Sequence, residues 1–335
     1  MNLEKYGTLN KEYLSNFARR GSHMENFWIA AGAVLPLMIY MAIGLLARKR
    51  YHFNEGHISN FNRIVFGVFL PTNMFYSVYF TDISKVMRPG FVLFAIGSLL
   101  TVYVVGWVLV TTLVKDNKKR GAMIQAFYRS NFILLGVPLV ENLYGPEAAA
   151  VPLMLCAIII PIYNVLAVFT LETFRGGSFN PLHILAGVAR NPMILGAVAG
   201  LVCKLLPFPL PAALLKCVKA IAGSTTPFAL IVLGASFTLQ GAISEIRELA
   251  FTVAGRLVIA PLIVIGGAVA LGYRQVDLAA LMAMSATPCA VASFAMAQQM
   301  DSDGELAGNC VIFSSALSCI TMFLWVFVTK NLGLL

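Results

Sequence analysis

Arg129 and Asn131 stand two residues apart in an otherwise apolar stretch that runs on through Gly136 and Pro138. A guanidinium offers a planar fork of donors that matches a carboxylate bidentately. A carboxamide adds one more donor and one acceptor. The chemistry available is recognition of an acid rather than bond-making. A structural alternative for Arg129 is an ion pair with Glu172, and the residues alone leave both open. A second polar group, Ser285, Thr287 and Ser293, surrounds Pro288. A helix N-terminus beside a break presents N–H groups and partial positive charge to an anion, so Thr287 is the expected contact there. Tyr163 and Asn164 follow Pro161, and Asn73 follows Pro71. Polar groups facing lipid are costly, so all three are expected to face the interior. They serve there either as substrate contacts or as hydrogen bonds between helices.

The other ionisable residues suggest less chemistry. Arg256 could pair with Glu245 or Glu248 as an anchor, and Glu141 reads as interfacial, with a protonatable gate as its alternative. His52, His57 and His183 fall in or beside loops without metal-ligand spacing. The six cysteines are scattered, with no CxxC pair, and read as small buried apolar side chains. HExxH, GxSxG and paired intramembrane aspartates are all missing, so neither an enzyme nor a bound cofactor or metal is expected. A coupling ion, sodium or proton, is left open. No acidic residue lies beside either break, and Glu141 and Glu172 are the nearest titratable groups. Potential-driven exit of an anion, worth about 2.3 kcal/mol per charge per 100 mV, is the third option.

The elements that must position these residues are membrane helices. Of 335 residues, 59% are hydrophobic and 12% charged, far from the roughly 25% charge of a soluble domain. Ten apolar runs approach the length needed to cross about 30 Å of hydrocarbon. They are expected at 26–47, 58–80, 90–114, 121–143, 148–173, 184–206, 217–240, 249–272, 276–299 and 306–329. Arg129 lies roughly 13 Å beyond Arg120 at about 1.5 Å per residue, well inside the fourth run. Trp28, Trp107 and Trp325 fall near span ends, where aromatic belts form. Gly21-Ser22-His23-Met24 reads as a cloning scar, which makes 1–23 an expression tag and Met24 the expected native start. Without that segment the formal charge falls from +9 to +7, an excess that suits a membrane protein and calls for no nucleic acid. Basic clusters at Arg48–Arg50 and Lys115–Arg120, with Arg175, Arg190 and Arg247, are expected on the cytoplasmic side. Both termini would then be extracytoplasmic. The opposite loops also hold Lys85 and Arg88, so the bias is modest.

Ten spans divide into 24–175 and 176–335, five each. An odd number inserts the second half upside down relative to the first, the inverted-repeat plan of many transporters. Gly136 and Pro138 are expected to interrupt the fourth span, and Pro288 the ninth, its counterpart. Paired interruptions point to a binding site near the bilayer midplane.

The string Asn131 to Leu139 followed by Tyr144-Gly145 resembles the signature of the auxin efflux carrier family. Asn62-Arg63 with Pro71, Asn191-Pro192, Leu233-Gly234, Arg256 with Pro261, and Ala297-Gln298-Gln299 match further pieces in order. The resemblance implies an all-α fold of ten transmembrane helices in a 5+5 inverted repeat. Helices 4 and 9 would be broken and crossed, as in sodium/proton antiporters and bile-acid symporters, with a scaffold part and an elevator-like transport part. It also implies a substrate-contacting role for Asn131 and secondary transport of an organic anion, and it is compatible with a homodimer. Only about ten residues separate the halves, and 90–114 carries no charge. The chain is therefore similar to the bacterial permease branch, with malonate- or malate-like acids as expected cargo in the inner (plasma) membrane. A carrier of an auxin-like aromatic acid and a transporter-fold sensor are the alternatives.

Overall fold

The computed structural model describes residues 32, 34–80, 88–175, 181–206 and 210–335, without the side chains of 181, 183 and 184. The expected tag and the expectations for Trp28, Lys85 and His183 lie outside what is described. Helices account for nearly all of the rest, and among the described residues there is no strand. Five helical segments are long and apolar enough to cross a membrane: Pro89–Leu113, Pro146–Arg175, Ala212–Ser236, Ile246–Ala270 and Gly304–Asn331. Shorter apolar helices cover Phe132–Tyr144, Pro192–Leu205 and Gln275–Ala286.

In chain order, α1 covers 34–51, followed by α2 (Glu55–Ile64), α3 (Leu70–Phe80) and α4 (Pro89–Leu113). Next come α5 (Asn117–Tyr128), α6 (Val137–Tyr144), α7 (Ala150–Arg175), α8 (Pro181–Arg190), α9 (Pro192–Leu205) and α10 (Ala212–Ser236). The chain ends with α11 (Leu239–Ser244), α12 (Ile246–Ala254), α13 (Ala260–Ala270), α14 (Gln275–Ala286), α15 (Ala292–Gln299) and α16 (Gly304–Asn331).

Three π-helical turns each end two residues before a proline: Val65–Phe69 before Pro71, Phe132–Gly136 before Pro138, and Gly255–Ile259 before Pro261. Proline has no N–H and clashes with the carbonyl four residues back. The wider turn relieves that conflict without breaking the helix. For Pro261 the freed carbonyl is that of Leu257, and the Trp325 indole N–H donates to it at 3.0 Å. Trp325 thus works inside the bundle as well as near a span end.

The helices pack by close backbone approach. Gly196 and Gly200, four apart on α9, lie against the backbone of Pro71 and Phe75 on α3. A side chain at either would drive into a carbonyl, which is the geometry that small residues allow between membrane helices. Gly44 on α1 and Gly234 on α10 make the same kind of contact reciprocally, against Ile231 and Met41. Asn191 caps α9 by accepting the Met193 N–H at 3.0 Å, with Pro192 in the first turn. These contacts tie α1, α2, α3, α9 and α10 together, while α5, α7, α14, α15 and α16 pack around the residues described next.

Candidate functional site

The chain leaves helical geometry between α5 and the π turn at Phe132–Gly136, and again between α14 and α15. At both points it turns extended, at Arg129 (ψ 110°) and at Thr287 (ψ 153°). The two interruptions pair with one another. Asn131 N–H donates to the Pro288 carbonyl at 2.8 Å, and Ala290 N–H to the Arg129 carbonyl at 3.1 Å. Ser130 and Cys289 face each other as an isolated antiparallel bridge. In this way the broken segments satisfy backbone groups that neither helix can satisfy alone.

The expected interruption at Gly136 and Pro138 falls instead at Arg129–Asn131, several residues earlier. The π turn absorbs Pro138, which enters the first turn of α6, where a missing N–H costs little. Gly136 is small for packing: a Cβ there would sit 3.1 Å from the Ala283 Cβ on α14. Pro288 does lie inside the second interruption.

Arg256 was expected to pair with Glu245 or Glu248, and it does not. Its guanidinium is buried and donates to five main-chain carbonyls. Two are at the end of α5, Tyr128 at 2.8 Å and Phe127 at 3.3 Å. Three are at the end of α14: Thr287 at 2.9 Å, Met284 at 3.4 Å, and Ser285. Each helix C-terminus carries about half a negative elementary charge, so two together amount to about one, which the guanidinium cancels. The sequence signal was spacing: Arg256 follows Glu248 by eight residues, about 12 Å along a helix, and Glu245 by more. Those carboxylates both meet Lys119, at 2.9 Å each.

Arg129 is buried too, and its partners are neutral. It donates to the Asn164 carboxamide oxygen and to the Met296 sulfur at 2.8 Å. Glu172, the alternative partner, pairs with Arg175 at 3.3 Å instead. Arg175 in turn holds Asp301 at 2.7 Å. No carboxylate among the described residues lies within 4 Å of Arg129 or Arg256.

Asn164 donates to the Met74 sulfur at 2.8 Å and back to the Ile160 carbonyl at 2.8 Å. Tyr163 is buried against the crossing point, its hydroxyl 3.1 Å from Ser130 Oγ and 3.4 Å from the Met284 carbonyl. Asn131 and Thr287 are buried with polar atoms that find no protein partner, Nδ2 in the first and Oγ1 in the second.

A cavity of about 1550 Å³ opens beside this cluster, bounded by α1, α3, α6, α7 and α10. Asn73 and Pro138 line it directly, together with Met74, Ile133 and Leu134. Arg129, Tyr163, Asn164 and Thr287 are not among its lining residues; Asn164 connects to it through Met74, and Arg129 through Asn164. Sequence reasoning did not single out Met74, Met296 or the lining residue Asn142, and it read Lys219 only as a basic residue of a loop opposite the cytoplasmic clusters. A methionine in an apolar span gives no signal, and its role depends on which neighbours it meets.

Paired, interrupted helices inside an apolar helical bundle, beside a large cavity, are the arrangement expected of a membrane transport protein. The family model described as membrane transport protein matches residues 29–177 and 182–326. The chain belongs to this family, that of the auxin efflux carriers. It is also similar to an uncharacterized transporter of Methanothermobacter thermautotrophicus, with 21% identity over 296 residues, covering 87% of this chain and 96% of that protein.

Proposed function

We propose that this protein is a secondary transporter of a small organic anion, recognised through its carboxylate beside the paired breaks and moved by alternating access. The observation that carries the reading is Arg129, a buried guanidinium whose partners are an amide oxygen and a thioether. Holding an uncompensated charge away from water costs several kcal/mol. An arriving carboxylate would recover much of that cost through two charge-assisted hydrogen bonds. Asn131 Nδ2 and Thr287 Oγ1, buried without partners, supply further polar capacity close by.

In this reading the ten spans form a 5+5 inverted repeat whose halves are 24–175 and 176–335. The parts carrying α3 and α5 move against each other as a scaffold and an elevator-like transport part. The end bearing Lys119, Arg175 and Asp301 faces the cytoplasm, and the large cavity opens to the opposite side. Asn73, on the cavity wall, contacts the body of the cargo.

The cavity wall refines the cargo. It is dominated by Leu37, Phe80, Leu153, Met154 and their neighbours, with Lys219 as its one lining cation among the described residues. A monocarboxylate with an apolar body suits the apolar bulk of this wall, whereas a malonate-like dianion would have to bring its second carboxylate to Lys219 or to the unpartnered Asn131 Nδ2 and Thr287 Oγ1. This favours the auxin-like aromatic acid among the alternatives.

The test is a thermal-shift screen of purified protein against malonate, malate, succinate and indole-3-acetate, with and without sodium. A ligand at 100 times its dissociation constant stabilises the folded state by about 2.7 kcal/mol. Counterflow of any positive acid in proteoliposomes then separates transport from sensing. Binding without counterflow would favour the sensor, and no shift with any acid would remove the anion reading.

A further inference from the structure

We propose that Met74 is the gate of the carboxylate site, separating the open cavity from the Arg129–Asn164 pair until cargo displaces it. The inference rests on the reading of Arg129 as the anion-binding group. It adds the residue that controls entry and sets the size of acid admitted.

Met74 lies between the cavity and the Asn164 carboxamide. One side of it lines the 1550 Å³ cavity. The other side meets the Asn164 carboxamide, whose Nδ2 donates to the Met74 sulfur at 2.8 Å. Asn164 gives its oxygen to Arg129, and Arg129 spends another N–H on the Met296 sulfur at 2.8 Å. Two donors of the pair are thus committed to thioether sulfurs.

A thioether is a weak acceptor. An ionised carboxylate is a strong one, and charge-assisted bonds to it are roughly twice as strong as neutral ones. Exchanging sulfur for carboxylate oxygen at Asn164 Nδ2 and at the Arg129 guanidinium therefore favours the bound state. The sulfurs occupy the donors without competing strongly for them, and they keep the guanidinium from bulk water meanwhile. Met74 can also move. Its unbranched side chain has three rotatable bonds and adapts to irregular space, and although buried it borders the cavity, which leaves open volume beside it.

The two residues also come from different groups of helices. Met74 is on α3, which packs on α9 and α10, while Arg129 and Asn164 belong to the segments around α5 and α7. A contact of this kind changes when the groups shift, so the gate is placed to open and close with the transport movement.

The experiment measures the affinity of indole-3-acetate and of malonate for the full-length protein in detergent, from the ligand concentration dependence of Tm. The proteins are the wild type, Met74→Ala, Met74→Phe, Arg129→Gln and the double variant Met74→Ala/Arg129→Gln. Tm without ligand reports folding for each. Opening the gate with alanine is expected to tighten binding of at least one acid about fivefold, and phenylalanine to weaken it at least tenfold. The double variant should bind no better than Arg129→Gln alone. Each Met74 variant is decisive by itself if the other does not fold. Wild-type affinity in the folded Met74 variants, with binding still lost in Arg129→Gln, overturns the gate and leaves the anion site standing. Undiminished binding in Arg129→Gln, or none in the wild type, overturns the anion site and the gate together.

Discussion

The backbone N–H of Asn131 donates to the carbonyl of Pro288 at 2.8 Å. Both residues belong to helices that stop inside the bundle, and each stop supplies what the other lacks. Pro288 has no N–H to offer, but its carbonyl is free once α14 ends at Ala286. Asn131, just past the end of α5, has an N–H with no helical acceptor. The reciprocal bond from Ala290 to Arg129 completes the pairing. Replacing Ala290 with proline removes one of the two donors. Leaving the buried Arg129 carbonyl short of a partner should cost about 1–3 kcal/mol. A melt in detergent should show a lower Tm for Ala290→Pro, and an unchanged Tm would mean that the bridge adds nothing.

Arg256 holds both helix ends through its fork of donors, so charge alone cannot replace it. Arg256→Gln strands several buried carbonyls and removes the balancing charge, a loss of about 3–5 kcal/mol by analogy with broken buried pairs. Arg256→Lys keeps the charge, but a single ammonium cannot span both ends, so its Tm should fall between those of Gln and wild type. Equal Tm values for all three would refute the capping role.

Arg129 is expected to behave in the opposite way. It meets no carboxylate among the described residues, so Arg129→Lys should fold normally while its affinity for a carboxylate falls about tenfold, or 1.4 kcal/mol. Exchanging charges between Arg129 and Glu172 should rescue nothing, because Glu172 already pairs with Arg175. A rescued Tm in the swapped protein would return Arg129 to a structural role.

Asn131→Ala removes a buried amide whose Nδ2 has no partner. The loss should therefore cost little stability while abolishing counterflow. Normal counterflow in a folded Asn131→Ala protein would take this residue out of the site.

The cluster at the Lys119 end should make stability depend on pH. The hydrogen bond from Lys119 holds the Glu248 carboxyl below its ordinary range, whereas burial raises Glu245 against the pull of the same lysine. Hydrogen bonds to both carboxylates raise the ammonium above its usual value. The Glu248 contribution is present above an ordinary carboxylate pKa and is lost as pH falls through the depressed value. The Lys119 contribution is present below an ordinary lysine pKa and is lost as pH rises through the raised one. Glu245 acts the other way from Glu248, stabilising below its ordinary pKa and less as pH rises through its raised value. Lys119→Met leaves two carboxylates facing one another. Its loss of Tm should be larger near about pH 7.5 than near about pH 5, where protonation relieves the repulsion. A pH-independent loss would show that packing, not charge, dominates there.

The class of protein was legible in the chain because burial in lipid is written in composition. An apolar run of about 20 residues can satisfy its own backbone only as a helix, and the described helices fall close to the runs read from sequence. Asn131, Arg129 and Thr287 stood out for the same reason, since a polar residue in such a run needs a partner or a task. What the chain alone could not decide was which partner. Gly136 and Pro138 read as the break, yet a π turn absorbs that proline and the true interruption lies at Arg129–Asn131. Arg256 read as an anchor for nearby acids, yet two helix ends from distant parts of the chain meet at its guanidinium. Met74 carried no signal at all until α3 and α7 were packed side by side. Local backbone satisfaction is a property of a segment and can be read from it. The choice of hydrogen-bond partner across helices is a property of distances in space, and only the packed bundle sets those.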